Sequence, residues 1–513
     1  LKHKLETGFL KKNPVSTKVN PKEQITVEDI ALISPSPLIT LIIAIYILVV
    51  AIYLITENRT PQSTFAWLFL LLLFPILGVL IYIFFGRGSH TFSQEKKIGR
   101  EKLAQEFIRD LGPIVDKQQT YIERIASERP ASYKKKILRM VEKNSSSILT
   151  GCNEVEILQD ATQKYPRLLA DIRAAQHHIH LNYYIWTEDE FTLQVKEALM
   201  ERAKAGVEVR CLYDASGGAM SKQYLQDLTA VGVRILPYMP FRSLKQLHTA
   251  NYRSHRKIAV IDGRIGYVGG LNLDKEQIEP PAFDRWRDTH LRMIGEAAHG
   301  LQGSFVVSWY MTTGETITGE NYYPPVTVNT FLPVQLVQSG PDSQWKAIRQ
   351  LYFQMIVSAE DKIYLQSPFF IPDESILEAL KAAALAGVDV KLMFTPRGST
   401  YQVPYRAAHT YFKEVVEAGA KVYLYEGGYF HPKTLNIDNA VISVGTANMD
   451  IRSFSLDYET NAIIYDEGKA RELEAQFLED LESCKEWTLA EYENFSAGHR
   501  FVDSVYRLAS PLL

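Results

Sequence analysis

The chain has few cysteines, almost no net charge, and no charged side chain in two long stretches near its start. Its three cysteines, Cys152, Cys211 and Cys484, show no metal-ligand spacing and cannot build a disulfide framework. That fits a reducing compartment for the bulk of the chain. A formal net charge of −3 lacks the basic excess of a general nucleic-acid binder. Against these absences stand 513 residues, 46% hydrophobic and 22% charged. That is the composition of a folded protein, long enough for two or three domains.

The uncharged stretches are residues 38–55 and 65–86. Each is long enough to cross a hydrocarbon core of about 30 Å at about 1.5 Å per residue. The short joining segment TENRTPQST makes the pair a hairpin with both ends on one side. Lys11, Lys12, Lys18 and Lys22 precede it; Arg87, Lys96, Lys97, Arg100 and Lys102 follow it; the loop holds only Arg59. The positive-inside bias then places both tails and the large C-terminal body in the cytoplasm. The expected division is a polar tail over 1–37, a two-helix transmembrane hairpin over 38–88, and a helical connector near the membrane surface over 89–149.

From about residue 150 the chain repeats itself. IRAAQHHIHLNYYIW (172–186) matches IVSAEDKIYLQSPFF (356–370), and AKAGVEVRCLYDASGG (203–218) matches ALAGVDVKLMFTPRGS (384–399). AVGVRILPYMP (230–240) matches EAGAKVYLYEGG (417–428), and HRKIAVIDGRIGYVGGLN (255–272) matches HPKTLNIDNAVISVGTAN (431–448). Chance would match one block, not four in order. The body is therefore two similar halves, 150–320 and 321–513, joined by a Gly/Thr/Pro-rich link at 312–330. Amphipathic helices alternating with buried strands predict an α/β fold with a sheet in each half.

The last block carries the chemistry. His255 and Lys257 sit two apart at the start of a strand and so share a face; His431 and Lys433 repeat the arrangement. Each strand ends in a hairpin turn at Asp262-Gly263 or Asp438-Asn439, and the return strand ends in a small-residue corner before Asn272 or Asn448. Each half thus presents an imidazole, an ammonium and an amide. Lysine and asparagine donors on a corner containing Gly270 or Thr446 suit phosphate oxygens. A metal is a poor alternative, because protonated lysine is a weak ligand and no third His or Cys stands at suitable spacing. Two histidines at one phosphodiester divide the labour: one attacks phosphorus, the other protonates the leaving alkoxide. A carboxylate behind each ring would fix its tautomer. Asp288 and Glu459, on the strand after each corner, are the candidates, with an ion pair to Arg287 as the alternative for Asp288. Asp262 and Asp438, at turns, read as structural.

The duplicated His-x-Lys-x4-Asp-x6-Gly-x-x-Asn pattern resembles the phospholipase D superfamily signature. RTPQSTFAWLFLLLLFPILG, IYIFFGR, SPFFIPDE, WRDTHLR, GTANMDIRSF and the terminal SPLL look like bacterial cardiolipin synthases. The resemblance covers roughly residues 38–513. It implies an α/β/α body with one active site between the halves. The implied reaction is phosphatidyl transfer between two phosphatidylglycerol molecules, giving cardiolipin and glycerol without a cofactor or obligatory metal. It carries His255, Lys257, Asp262, His431, Lys433 and Asp438 over as the catalytic set, with His255 as nucleophile and His431 as acid/base. The implied partners are anionic phospholipid and the bilayer of a bacterial cytoplasmic membrane, with no nucleic acid; a homo-oligomer is left open. Gly270 stands where many superfamily members have serine, and Asn182 where synthases commonly carry glutamate. The rival readings are a hydrolase of the same superfamily, which shares the motif, and a non-enzymatic membrane scaffold.

Three side features complete the expectation. Arg242, Lys245, Arg253 and Arg256 could steer anionic headgroups, or form a solvated basic loop. Tyr183, Tyr184 and Trp186 line a pocket or the core. FVDSVYRLASPLL is an amphipathic segment for a membrane surface or for domain packing.

Overall fold

The computed structural model describes residues 37–56, 61–74, 77–78, 81–82, 111–127, 131–240, 251–396 and 402–512. The chain divides into two units, Leu1–Tyr82 and Ile83–Leu513. The basic residues of the N-terminal tail, Arg59, and Arg87 to Lys102 lie outside the described residues.

In the first unit, α1 (Pro37–Thr56) and α2 (Pro61–Leu73) meet through Leu54 and Leu71, backed by Val50, Trp67 and Leu68. Most of their other large apolar side chains are exposed, among them Leu41, Ile45, Leu48, Ile52, Phe65 and Phe69. Among the described residues, no helix qualifies as long and apolar enough to cross a membrane. With 13 residues, α2 is about 20 Å long and falls short of the ~30 Å core. The 20 residues of α1 carry no charge, but the transmembrane hairpin expected over 38–88 is not shown by the described helices.

The first described elements of the second unit are α3 (Gly112–Ala126) and α4 (Ala131–Ser145). They fall in the stretch expected as a helical connector and contribute to a core. Tyr121, Ile125, Ile137, Leu138 and Val141 are buried with Ile348, Leu351 and Met355 of the second half. Both helices place apolar residues on one face, and that face needs a partner.

The strands of the first half are β1 (Leu149–Leu158), β2 (His178–Tyr183), β3 (Glu208–Asp214), β4 (Arg234–Tyr238), β5 (Lys257–Ile261), β6 (Ile265–Gly269) and β7 (His290–Gly295). Those of the second are β8 (Phe331–Ser339), β9 (Lys362–Gln366), β10 (Asp389–Phe394), β11 (Lys421–Tyr425), β12 (Thr434–Ile437), β13 (Val441–Gly445), β14 (Asp457–Ile464) and β15 (Cys484–Trp487). The first half runs β1-β7-β6-β5-β2-β3-β4 and the second β8-β14-β13-β12-β9-β10-β11, with β15 on its outer edge. Corresponding pairs have the same sense: β2-β3-β4 and β9-β10-β11 are parallel, the rest antiparallel. The duplication read in the sequence is thus a duplication of topology.

The two sheets are joined into one where β1 pairs antiparallel with β8, with a register shift between Thr150 and Cys152. A shared core of Ile258, Val260, Val268, Leu291, Val334, Ile442, Val444 and Ala462 fills the centre. Helices α5 (Ala161–Ala174), α6 (Glu190–Lys204), α7 (Lys222–Ala230) and α8 (Glu296–Thr313) belong to the first half. Helices α9 (Ala347–Ser358), α10 (Glu374–Leu385), α11 (Gln402–Glu417), α12 (Glu467–Leu481) and α13 (Ala497–Arg507) belong to the second. Aspartates cap several of them: Asp160 starts α5, Asp189 starts α6 and Asp373 starts α10, each accepting otherwise orphaned N–H groups.

Candidate active site

The strands β5 and β12 carry Lys257 and lead from Lys433, and the two histidines stand just before them. What positions the rings is a pair of short parallel ladders that cross between the halves. Arg253–Ser254, leading to His255, pairs with Asp457–Tyr458 at the start of β14. Tyr429–Phe430, leading to His431, pairs with Trp286–Arg287 ahead of β7. The backbone N–H of His255 donates to the Tyr458 carbonyl at 3.0 Å, and that of His431 to the Arg287 carbonyl at 2.8 Å. Each ladder therefore delivers a histidine of one half beside the carboxylate of the other.

Nδ1 of His255 lies 2.9 Å from Oε1 of Glu459, and Nδ1 of His431 lies 2.7 Å from Oδ2 of Asp288. Both carboxylates are fully buried. Each lysine folds back on its own histidine: Nζ of Lys257 donates to the His255 carbonyl and Nζ of Lys433 to the His431 carbonyl, both at 2.6 Å. An ammonium has three protons, so each lysine keeps donors beyond this bond.

Burial dominates the electrostatics, and neighbouring charges then separate the groups. Burial lowers Lys257 to about 7 and Lys433 to about 8. Burial also lowers His431 to about 3, helped by the charges of Lys433 and Lys257. His255 is held well below the usual imidazole range by burial, Lys257 and Lys433. Each ring thus feels the lysines of both halves, the mark of a common centre. The carboxylates diverge. Burial raises Glu459 to about 8, against the pull of Lys257. Burial also pushes Asp288 up, but His431, Lys433 and the bonds they make carry it below its ordinary value.

The remaining sequence candidates fall elsewhere. Asp262 and Asp438, counted in the carried-over catalytic set, touch neither ring. Asp262 accepts from the N–H groups of Gln176, His177 and His178 at 2.8–3.0 Å. Asp438 accepts from Glu360, Asp361 and Lys362 at 2.8–3.0 Å. Both take left-handed φ values, 54° and 52°, which aspartate tolerates. They fasten the hairpin to the strand that follows α5 or α9. Thr446, expected at the phosphate, donates its hydroxyl to Glu459. At the matching position a Cβ on Gly270 would overlap the Asp288 carboxylate. The glycine therefore makes room for a carboxylate instead of leaving a gap in a phosphate cradle. Asn272 is buried, with its side-chain oxygen accepting from the Ile185 N–H at 3.1 Å. Asn448 is buried, its amide bonded to Asp450.

The ion pair offered as the alternative for Asp288 does not form. The Arg287 guanidinium takes Asp480 instead, with Nη2 at 2.7 Å from Oδ2. Arg256 is buried on Ser308 and Gln338, so it is no headgroup steering residue. Arg253 is half-buried, bonded to the Tyr252 carbonyl, while Arg242 and Lys245 lie outside the described residues. Tyr183 and Trp186 belong to the first-half core, whereas the Tyr184 ring stands edge-on to His255 at 5.1 Å. Asn182 is fully buried and neither polar side-chain atom has a partner among the described residues.

Several residues around the site escape the motif. Trp286 and Tyr429 stand 5.4 and 5.9 Å from the His431 ring. The aromatic residue two positions before the histidine was the available signal. Lys164 of α5 is fully buried and donates from Nζ to the Leu271 and Asn272 carbonyls at 3.3 Å, bracing the first corner from beneath. A lysine on the apolar face of a helix was its only trace in the sequence.

Comparison with known proteins identifies the family. A family described as cardiolipin synthase, phospholipase D-like domain, matches residues 168–281 and 352–481. A family described as phospholipase D-nuclease N-terminal matches residues 42–87. A cardiolipin synthase of Halalkalibacterium halodurans is 38% identical over 92% of this chain and 93% of its own length. The major cardiolipin synthase of Bacillus subtilis is 38% identical over 93% of this chain and 99% of its own. A phosphatidylserine synthase from Haemophilus influenzae shares the fold, with a TM-score of 0.56 and 13% identity over 74% of this chain and 100% of its own. Two topologically equivalent halves, a histidine–lysine motif in each, and relatives matched almost end to end lead to one conclusion: the chain belongs to the bacterial cardiolipin synthases of the phospholipase D superfamily.

Proposed function

We propose that this chain joins two phosphatidylglycerol molecules into cardiolipin and glycerol through a phospho-histidine at His255. The observation that carries this reading is the crossed pairing of each motif histidine with a carboxylate of the opposite half. The two dyads are unequal in the way the reaction needs. His431 faces Asp288, whose low pKa keeps it ionised beside a ring that must become cationic. His255 faces Glu459 and is held neutral by burial and the two lysines, as a nucleophile must be.

In the first step Nε2 of His255 attacks phosphorus and the bond to the headgroup glycerol breaks; His431 gives its proton to the departing glycerol oxygen. In the second, His431 takes the proton of a headgroup hydroxyl on another phosphatidylglycerol. That oxygen attacks phosphorus, the P–N bond breaks, and cardiolipin forms with His255 restored. The resting site keeps both rings neutral. The anionic diester offsets the field of Lys257 and Lys433 and lets His431 hold the proton it delivers. Lys257 and Lys433 point their remaining donors at the phosphoryl oxygens. The apolar stretches at 38–55 and 65–86 anchor this body at the cytoplasmic face of a bacterial membrane, where its substrates lie.

Purified full-length chain with phosphatidylglycerol vesicles tests the reading: cardiolipin and glycerol should appear in equal amounts. Phosphatidic acid without cardiolipin would mean that water is the acceptor and the chain a hydrolase.

A further inference from the structure

We propose that His409, His499 and Asp503 form a site for a divalent transition-metal ion of the zinc type, clamping the C-terminal helix α13 to α11. His499 and Asp503 are four residues apart on α13 and so lie on one face; His409 comes from α11. Nδ1 of His409 is 3.0 Å from Oδ2 of Asp503, and Nε2 of His499 is 3.6 Å from the same oxygen. All three ligand atoms lie within 4.8 Å of one another. Tetrahedral bonds of about 2.0–2.2 Å place ligand atoms roughly 3.3–3.6 Å apart, a spacing these distances bracket. Among the described residues no other group of three such ligands converges in this way.

Two features set the cluster apart from an ordinary buried ion pair. Nε2 of His499 is buried without a hydrogen-bond partner, although it is aimed at Oδ2. Asp503 is fully buried, and its other oxygen, Oδ1, accepts from Nε of Arg406. Such an outer hydrogen bond orients a ligating carboxylate and turns Oδ2 towards the two imidazoles. The His499 side chain is 35% exposed, so the cluster lies near the surface. Two imidazoles and one carboxylate select zinc, copper, nickel or cobalt over magnesium or calcium. Arg406 already balances Asp503, so a bound ion adds uncompensated charge and exchanges readily. None of the three ligands belongs to the histidine–lysine centre, so the ion acts on attachment of the helix and not on the chemistry.

The test is titration of the full-length chain, carrying no polyhistidine tag, with Zn²⁺ alone and with Co²⁺ as a spectroscopic probe. One Zn²⁺ per chain, a tetrahedral Co²⁺ absorption and slower amide exchange across α13 are expected. His499 is partly exposed, so His499→Ala should fold normally and keep cardiolipin formation while losing the Co²⁺ band and at least about 100-fold in Zn²⁺ affinity. His409→Ala should behave alike towards both ions. No stoichiometric Zn²⁺ in the unaltered chain, or unchanged affinity in both variants, would overturn the site and leave a plain ion-pair cluster.

Discussion

Glu459 reaches across the body to His255: its Oε1 lies 2.9 Å from the ring, although 204 residues separate the two in the chain. Thr446 holds the other carboxylate oxygen, so the acid is fixed at both ends. Glu459→Gln keeps the shape and removes the tautomer preference. It should lower kcat by at least about 100-fold with an unchanged circular dichroism spectrum. A loss below about three-fold would show that the carboxylate does not serve His255.

The division of labour between the histidines has a direct readout. With a phosphatidyl donor carrying a leaving group that needs no proton, His431→Ala should still form the P–N bond and accumulate phospho-enzyme. His255→Ala should form none. Phosphohistidine found in His255→Ala, detected by phosphorus resonance, would reverse the roles.

The lysines set the alkaline limb of the pH profile. Lys257 and Lys433, lowered to about 7 and about 8 by burial, lose their protons as pH rises through that range. kcat/KM, which reports the free enzyme, should fall there, while kcat should hold to higher pH because bound phosphate favours the ammonium. Folding stability should move the other way. Above about pH 7 these lysines bind fewer protons folded than unfolded, so their contribution to stability rises towards pH 10. A kcat/KM that stays flat from about pH 6.5 to 9 would contradict the assignment.

Asp438→Ala should unfold the protein more easily without touching the chemistry. It removes the acceptor of three backbone N–H groups and leaves alanine at φ 52°. A loss of about 1–3 kcal/mol is expected, read as a lower melting temperature. Activity per folded molecule should stay within about two-fold.

Gly270→Ser restores the residue common in the superfamily and should be harmful here. The added Cβ occupies the space of the Asp288 carboxylate, so the acid must leave His431. Strain of about 1–3 kcal/mol and a fall in kcat of at least about 10-fold are expected, measured by melting and by cardiolipin formation. Full activity would mean that Asp288 can shift without cost.

Much of this was legible in the sequence because repetition converts a weak motif into a strong one. Strand alternation placed His255 and Lys257 on one face, and the second copy identified the equivalent pair. Asp288 and Glu459 could be named as partners from their place after each corner. Which acid serves which ring could not. That depends on the short ladders at 253–254 with 457–458 and at 286–287 with 429–430, pairings made between distant segments by tertiary packing. The functions of Gly270 and Thr446 were hidden for the same reason: each is defined by a side chain 13 or 18 residues away that folds back onto it. The helices α3 and α4 looked like a connector because their charge is visible in the sequence and their burial partner is not.

The crossed ladders also bear on how two unlike dyads arise at one centre. Each half owns a histidine and a carboxylate that never meet within that half, so neither could assemble a working pair alone. Two identical copies brought together about a two-fold axis would be bound to build the same dyad twice. Linking the copies in one chain removes that obligation. One dyad here has become aspartate facing a glycine, and the other glutamate held by a threonine. The inequality on which the proposed division of labour rests is therefore a property of covalent fusion, written in four positions: 270, 288, 446 and 459.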